Sequence, residues 1–415
     1  MSTRNYRLFA AGQVVSNTGT WMQRVAQDWL VLQLTHGSGT ALGIATGLQF
    51  LPQLLFSLWG GVIADRYSKR AILLATQAVM GALALILGVL AVTGVVAVWQ
   101  VYLLAFALGL VAVVDNPTRQ TFVAEMVGPS GVANAVALNS ATFNLARITG
   151  PAVAGLVISA VGTPIAFFIN AASYAAVLIG LKLMRPGELH PVKRAPRAPG
   201  QLREAFAYVR ARPSVWLTLV LVFFVATFGM NFQVTTALMS RGVFHTGAGA
   251  FGLASTMFAV GALAGALAAA RRSRPGMRTL VATALAFGAL EVVTGLMPGY
   301  WSFLVLLVPT GLFLLMFTTT ANSATQLGVA PEVRGRVMGL YMLVFLGGAP
   351  LGSPLVGWAA EQFGARMSLI AGGIISAASA AAVGLLLART RGVPARQYLR
   401  PARLAGPVTA ATRAR

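Results

Sequence analysis

Residues 60–70 read GGVIADRYSKR and separate two long apolar stretches. The segment carries one acid and three bases: Asp65, Arg66, Lys69 and Arg70. The stretches on either side, 41–64 and 71–93, each reach the roughly 20 residues that a helix needs to cross a bilayer. The segment is therefore predicted to form a short charged loop between two membrane-spanning helices.

The whole chain has the composition of an integral membrane protein. Its 415 residues are 57% hydrophobic and only 10% charged, whereas a soluble domain carries about 25% charged residues. The gaps between apolar stretches are short, which leaves no room for a soluble catalytic domain. The stretches predict twelve spanning helices, at about 8–34, 41–64, 71–93, 99–117, 134–159, 163–184, 214–238, 248–270, 279–297, 301–322, 337–359 and 367–388.

The N-terminus and the absence of cysteine set two further limits. The first residues, MSTRNYRLFA, lack the small-residue cleavage site of a signal peptide, so the first helix is expected to act as the insertion signal. The chain has no cysteine, which excludes disulfides and thiolate metal sites. The histidines fall in separate predicted loops, so no metal site is predicted.

The net charge of +22 follows a pattern along the chain. In the predicted arrangement, 27 of the 31 lysines and arginines lie on the side that holds both termini. Arg241 and Arg366 lie on the other side, and Arg24 and Arg147 lie within spans. Because cytoplasmic loops carry the excess of basic residues, we predict a multi-pass cell-membrane protein with both termini in the cytoplasm. Its basic face is expected to contact anionic lipids rather than nucleic acid.

A proline-rich segment divides the chain. Residues 185–200, RPGELHPVKRAPRAPG, hold four prolines, a density that is incompatible with a regular helix. Beyond them Leu202, Phe206 and Val209 have helical spacing, which fits either an amphipathic helix on the cytoplasmic face or a merely solvated helix. The predicted organisation is a six-helix half, a linker, a second six-helix half and a disordered basic tail, at 1–184, 185–213, 214–388 and 389–415.

The two predicted halves share a pattern. In each, a small residue and a proline precede two glycines: Gly150-Pro151 with Gly155 and Gly162, and Ser353-Pro354 with Gly357 and Gly364. The predicted fold is therefore an all-α integral membrane protein with twelve transmembrane helices, arranged as two six-helix pseudo-repeat halves around a central cavity.

The charged loop carries a resemblance to a known family. Gly61, followed by the acid and the bases of the loop, resembles the signature between the second and third helices of the major facilitator superfamily of secondary transporters. SNTGTWMQRVAQDWLVLQLT, DNPTRQTFVAEMV and NLARITGPAVAG look most like the subfamily that groups drug:proton antiporters with siderophore and macrolide exporters. The resemblance covers about residues 5–390. It implies a central site that opens alternately to each side, with proton entry driving export.

Three acids are candidates for proton coupling, because ionisable groups inside a bilayer are costly and usually functional: Asp28, Asp115 and Glu291. Asp28 lies four residues after Arg24 on the same helix face. A titratable carboxylate lining the cavity and a static ion pair with Arg24 both fit this spacing. Glu291 has no base within four residues, and either a proton site or a lipid-facing or interfacial position fits it.

Two acid–base pairs are candidates for a gate. Asp115 ends the fourth predicted span, where Pro117 is expected to break the helix, and Arg119 lies four residues beyond it. The pair fits a gate that one transport state contains and the other breaks, or an ion pair at a helix terminus. The resemblance implies that Asp65, beside Arg66, locks the two halves together when the cytoplasmic side is closed.

The fifth predicted span contains a second signature. Arg147 with Gly150, Pro151 and Gly155 resembles a partial form of the fifth-helix motif of drug:proton antiporters, which carries more glycines in full. Arg147 is a candidate for contact with the substrate or the coupling proton, or for pairing with Asp115. A position near the interface, against lipid phosphate, also fits.

Polar and aromatic side chains in the spans are candidates for substrate contact. The polar candidates are Gln49, Gln53, Asn139, Asn144, Asn231, Gln233 and Asn322. The seventh span adds an aromatic series that could form an apolar wall: Phe223, Phe224, Phe228 and Phe232.

The predicted function is secondary transport, without an enzymatic activity or a cofactor. No phosphate-binding GxxxxGK[ST] loop, nucleophile–base pair or metal cluster is visible in the sequence. The expected partners are a small lipophilic or amphipathic substrate and protons, and a monomer is expected. The alternatives are an importer or a dedicated exporter of one metabolite, siderophore or lipid, and, less favoured, a non-transporting sensor on a transporter fold.

Overall fold

The computed structural model describes residues 4–190, 201–271 and 276–390, and the regular structure of these residues is helical. Gly128, with a φ of 67°, divides the long helical stretch after residue 97 into two helices. The helices are α1 Arg4–Leu34, α2 Gly39–Arg66, α3 Lys69–Val92, α4 Val98–Gly128, α5 Gly131–Val161, α6 Thr163–Lys182, α7 Gln201–Arg210, α8 Pro213–Val243, α9 Ala248–Ala270, α10 Met277–Gly295, α11 Tyr300–Leu327, α12 Pro331–Phe363 and α13 Ala365–Thr390.

The helices confirm an all-α membrane protein. In the described part of the chain, ten helices are long and apolar enough to cross a membrane. An eleventh is added if Gly39–Ser57 and Trp59–Arg66, which meet at a bend in α2, form one span. The helix α1 is 31 residues long but is not among them, because its sequence is rich in polar side chains.

The helix α4 continues through Pro117, so the prediction that this proline breaks the helix is wrong. Pro117 has no N–H to donate to the carbonyl of Val113, four residues earlier. Gly60 of α2 packs against that carbonyl, since a Cβ atom placed on Gly60 would lie 2.1 Å from the Val113 oxygen. The turn that the proline weakens therefore packs closely against a neighbouring helix, and α4 ends at Gly128 instead.

Glycines bring N-terminal helices (α1–α6) into backbone contact with C-terminal helices (α8–α13) at two places. Between α2 and α12, a Cβ atom on Gly43 would lie 2.2 Å from the carbonyl oxygen of Ser353. Between α5 and α9, a Cβ atom on Gly252 would lie 2.4 Å from the carbonyl oxygen of Pro151. Small residues allow this approach in lipid, where no hydrophobic force drives helices together.

Both contacts lie toward the end of the molecule opposite the 66–70 loop. At that end Glu361 of α12 accepts hydrogen bonds from the Ser38 hydroxyl at 2.8 Å and from the Thr40 amide at 2.9 Å. We call this the closed end, and the end that carries residues 66–70 the loop end.

The short helix α7 forms where the sequence predicts an amphipathic helix. Val209 is fully buried, and the Tyr208 hydroxyl accepts a hydrogen bond from the Ala330 amide at 3.0 Å. The helix therefore docks beside the start of α12, and the merely solvated helix is ruled out. The Leu202 side chain, most of the proline-rich segment and most of the predicted tail lie outside the described residues.

Candidate functional site

A cavity lies between the N-terminal and C-terminal helices. It has two adjoining lobes, of ≈ 420 Å³ and ≈ 750 Å³. The smaller, here the closed lobe, includes Pro151 and Ser353 from the glycine contacts. The larger, here the open lobe, extends to Val123 and Val136 toward the loop end. Both lobes share the lining residues Trp21, Arg24, Phe50, Phe143 and Leu346.

The closed lobe is mainly aromatic and aliphatic. Gly150 of α5 makes room for Trp21, since a Cβ atom on Gly150 would lie 2.4 Å from the Trp21 Cβ. Sequence reasoning identified Phe232 in this wall but missed most of the rings, because helical periodicity does not show which apolar face meets a cavity. The aromatic lining residues are Trp21, Phe50, Phe143, Phe232, Phe251, Phe258 and Phe345.

Two arginines face this lobe. The guanidinium carbon of Arg24 lies 4.6 Å from the Trp21 ring centre and 5.6 Å from that of Phe50. That of Arg147 lies 5.9 Å from the Trp21 ring centre. Among the residues the structure describes, neither arginine has a carboxylate within 4.0 Å, and the buried Nε of Arg24 has no hydrogen-bond partner.

These positions correct three interpretations. The static ion pair between Arg24 and Asp28 is not formed. Arg147 does not pair with Asp115, and it lines the closed lobe instead of lying at an interface with lipid phosphate. The i, i+4 spacing placed Arg24 and Asp28 on one face, but the guanidinium lies over the Trp21 ring and the carboxylate is bonded to Gln233.

Asp28 lies behind the wall of the closed lobe. It is 1% exposed, and it accepts a hydrogen bond from Nε2 of Gln233 at 2.6 Å. Gln233 itself lines the lobe. The prediction that the carboxylate lines the cavity is therefore wrong, because the Gln233 amide stands in front of it. The contact joins α1 to α8, and hence an N-terminal helix to a C-terminal one.

The second acid, Asp115, lies at the open lobe within a polar network. Its Oδ1 accepts hydrogen bonds from the Thr76 hydroxyl at 2.7 Å and from the Gln77 amide at 2.8 Å. Its Oδ2 lies 3.7 Å from Nε of Arg119. The Arg119 guanidinium also donates to Gln13, Asn17 and Asn116. These partners lie on α1, α3 and α4, and sequence spacing indicated only the acid and the base.

The loop signature connects helices at the loop end. Lys69 pairs with Glu125 of α4. Arg70 donates to the carbonyl oxygens of Leu181 at 2.8 Å and Lys182 at 3.1 Å, at the C-terminal end of α6, where a cation is favoured. Gly61 lies in the last turns of α2, and Asp65 and Arg66 are exposed at its end.

Glu291 of α10 lines neither lobe, yet it is only 2% exposed. Cβ atoms placed on Gly229 and Gly372 would lie 3.2 and 3.1 Å from its carboxylate oxygens. The two glycines thus make space for the carboxylate between α8 and α13, and the lipid-facing or interfacial position is wrong. Its Oε2 and the nearby hydroxyl of Ser376 have no hydrogen-bond partner.

Five of the seven polar candidates for substrate contact line the cavity. Gln49, Gln53 and Asn139 line the open lobe, and Asn231 and Gln233 the closed lobe. The other two line neither: Asn144 donates to the Ser140 carbonyl, and Asn322 accepts from Gln326. Of the phenylalanines predicted as an apolar wall, those at 223, 224 and 228 also line neither lobe.

The family match and the transporter relatives identify this bundle as a multi-pass membrane transporter of the major facilitator superfamily and not an enzyme. The chain belongs to the transmembrane secretion effector family, whose model matches residues 1–404.

Two curated relatives and one solved structure are similar over most of their length. The staphyloferrin A transporter of Staphylococcus aureus is 26% identical, over 83% of this chain and 87% of the relative. The multidrug efflux pump Tap of Mycolicibacterium fortuitum is 27% identical, over 88% of this chain and 90% of the pump. The same fold is found in a bacterial homolog of the human lysosomal transporter Spinster, crystallised in an inward-facing and unoccupied conformation. The TM-score is 0.74 and the identity 16%, and the match covers 94% of this chain and 98% of the homolog.

Proposed function

We propose that this protein is a secondary active exporter of the cell membrane. It moves small lipophilic or amphipathic molecules through the central cavity by alternating access, in exchange for protons. The cavity carries the proposal, because it lies between helices that glycine contacts bring together at the closed end, and its open lobe extends toward the loop end. The relatives, a siderophore transporter and a multidrug efflux pump, support a small-molecule substrate.

Twelve spans in two six-helix halves, with both termini in the cytoplasm, are part of this proposal. The two glycine contacts support an arrangement in two halves, because each joins one half to the other through a glycine of the predicted repeat. Gly155 of α5 packs on α9, and Gly357 of α12 packs on α2. The excess of basic residues at the loop end supports a cytoplasmic loop end, in contact with anionic lipid. The open lobe then faces the cytoplasm. A monomer is sufficient, since the cavity is built within one chain.

Asp28 is the proposed coupling carboxylate. When ionised it accepts a charge-assisted hydrogen bond from Gln233, which is stronger than a bond to a neutral acid. Protonation weakens this link between α1 and α8. Binding of a proton thereby changes the relative stability of two arrangements of the halves, as a coupled ligand must. Asp115 with Arg119 is the proposed gate pair that this state contains and the opposite state breaks. Asp65, beside Arg66, is proposed to lock the halves together when the loop end is closed.

The test is gradient-driven transport in everted membrane vesicles from cells that express the protein. Amphipathic fluorescent dyes of positive, zero and negative charge are supplied, with a proton gradient that is intact or collapsed by a protonophore. Wild type is expected to concentrate at least one dye only while the gradient is intact. Asp28→Asn is expected to lose this uptake, whereas Glu188→Gln, at an exposed carboxylate of the linker, retains it.

Three outcomes contradict the proposal. Uptake by wild type that does not depend on the proton gradient contradicts proton coupling. Transport only in the opposite direction favours an importer. Full activity of the Asn variant removes Asp28 from the mechanism and leaves Asp115 as the next carboxylate to neutralise.

A further inference from the structure

The closed lobe is a positively charged compartment. Of the residues that line it in the described structure, the charged ones are Arg24 and Arg147, and no acid lines it. Arginine remains protonated under all ordinary conditions. The lobe therefore presents two fixed positive charges beside an aromatic wall.

Neither neighbouring acid forms an ion pair with these arginines. Asp28 is held by the Gln233 amide behind the wall and forms no ion pair with Arg24 within 4.0 Å. Asp115 is engaged by Thr76, Gln77 and its own arginine in the open lobe. Both arginines are half-buried, and charges shielded from water are normally paired or hydrogen-bonded, so two unpaired guanidinium groups in one lobe suit an anionic partner.

Both guanidinium groups lie near one ring of the closed lobe. They lie 4.6 and 5.9 Å from the centre of the same Trp21 ring. Stacking on the ring compensates only part of the lost hydration, and the Nε of Arg24 lacks any hydrogen-bond partner. The planar donor fork of arginine matches the oxygens of a carboxylate, sulfonate or phosphate.

We propose that the closed lobe binds amphipathic organic anions. An oxyanion group contacts Arg24 and Arg147, and the apolar part of the molecule packs on the aromatic wall around Phe251 and Phe258. The volume of ≈ 420 Å³ suits a small molecule. This inference rests on the proposed function, which it deepens by naming the substrate class.

The test compares two probes that share one aromatic scaffold. They are 1-anilinonaphthalene-8-sulfonate, which is anionic, and N-phenyl-1-naphthylamine, which is neutral. Binding to the purified full-length protein in lipid nanodiscs is measured by equilibrium dialysis, with empty nanodiscs subtracted. Wild type is expected to bind the sulfonate about tenfold or more tightly than the amine.

Arg24→Gln and Arg147→Gln are each expected to weaken sulfonate binding about tenfold and leave amine binding unchanged. Arg147→Lys is expected to retain part of the preference, because the charge remains. Arg241→Gln is the matched control: Arg241 also stacks on a tryptophan, 5.9 Å from the Trp29 ring centre, but lines neither lobe. It should bind both probes as wild type does.

The proposal is overturned if wild type binds the amine as tightly as the sulfonate, or does not bind the sulfonate. It is also overturned if the two Gln variants keep the preference. These outcomes are separate from failure of the export proposal. An anion preference without gradient-driven transport supports the anion site and contradicts the export proposal. Transport of the cationic dye alone supports the export proposal and contradicts the anion site.

Discussion

Gln233 of α8 donates a 2.6 Å hydrogen bond to the buried carboxylate of Asp28 on α1. One side chain thus covers the acid and links helices from the two parts of the chain. Removing a donor from a buried carboxylate costs about 1–3 kcal/mol. We expect Gln233→Ala to lower the Tm of the detergent-solubilised protein and to reduce gradient-driven export about tenfold or more. Ser255→Ala, which also changes a residue of the closed lobe, should retain wild-type Tm.

The contact between α2 and α12 leaves no space for a side chain at Gly43. A Cβ atom there would lie 2.2 Å from a backbone carbonyl oxygen, which cannot move as a flexible side chain can. We expect Gly43→Val to prevent closure of the closed end and to abolish transport. Gly339→Val is the control, because a Cβ atom at Gly339 meets nothing within 4 Å. Normal transport by the Gly43 variant would show that α2 and α12 can move apart at residue 43 without loss of function.

The closed end can be tested by cross-linking, since the chain has no native cysteine. Ser38 donates to Glu361 at 2.8 Å across the contact. We expect the double variant Ser38→Cys, Glu361→Cys to react with a short bifunctional thiol reagent that is cleaved by reduction. Transport should stop on cross-linking and return after reduction, because alternating access requires this end to open. Transport that continues while the link is intact argues against opening at this end.

Glu291 is expected to be dispensable for coupling. Its carboxylate is buried between glycines outside both lobes, and its Oε2 has no hydrogen-bond partner. An amide in its place carries no charge to bury, so Glu291→Gln should retain Tm or raise it. Gradient-driven export should stay within about twofold of wild type, whereas Asp28→Asn should abolish it. Loss of export in the well-folded Glu291 variant would make it the second coupling site.

The Lys69–Glu125 pair should contribute more to stability than a surface ion pair does. Its side chains are 15% and 14% exposed, against 61% and 45% for Arg185 and Glu188. We expect a double-mutant cycle to Gln to give a coupling free energy of about 1–2 kcal/mol for the first pair and about 0–0.5 kcal/mol for the second. Equal couplings would show that the loop signature does not fasten α3 to α4.

The sequence was sufficient to predict the helical membrane fold, because apolar length and charge spacing directly reflect the bilayer. It was less informative about individual side chains. Spacing placed Arg24 beside Asp28, but Arg24 lies against Trp21 of its own helix. Asp28 is bonded to Gln233 of α8, and that contact joins helices distant in the chain, which spacing does not show. Pro117 was misleading for a related reason: a proline weakens its own helix, yet the helix continues where Gly60 of another helix packs against the carbonyl that the proline cannot bond.

The glycine contacts and the aromatic lobe differ in the substitutions that they are expected to tolerate during evolution. At Gly43 and Gly252 the first carbon of any side chain meets backbone, so substitutions there are expected to be eliminated whatever the cargo. Most of the lobe is lined by side chains, such as that of Ser255, whose replacement brings no two backbones into collision. Descendants of such a protein can diverge in what they carry while inheriting one conformational cycle intact.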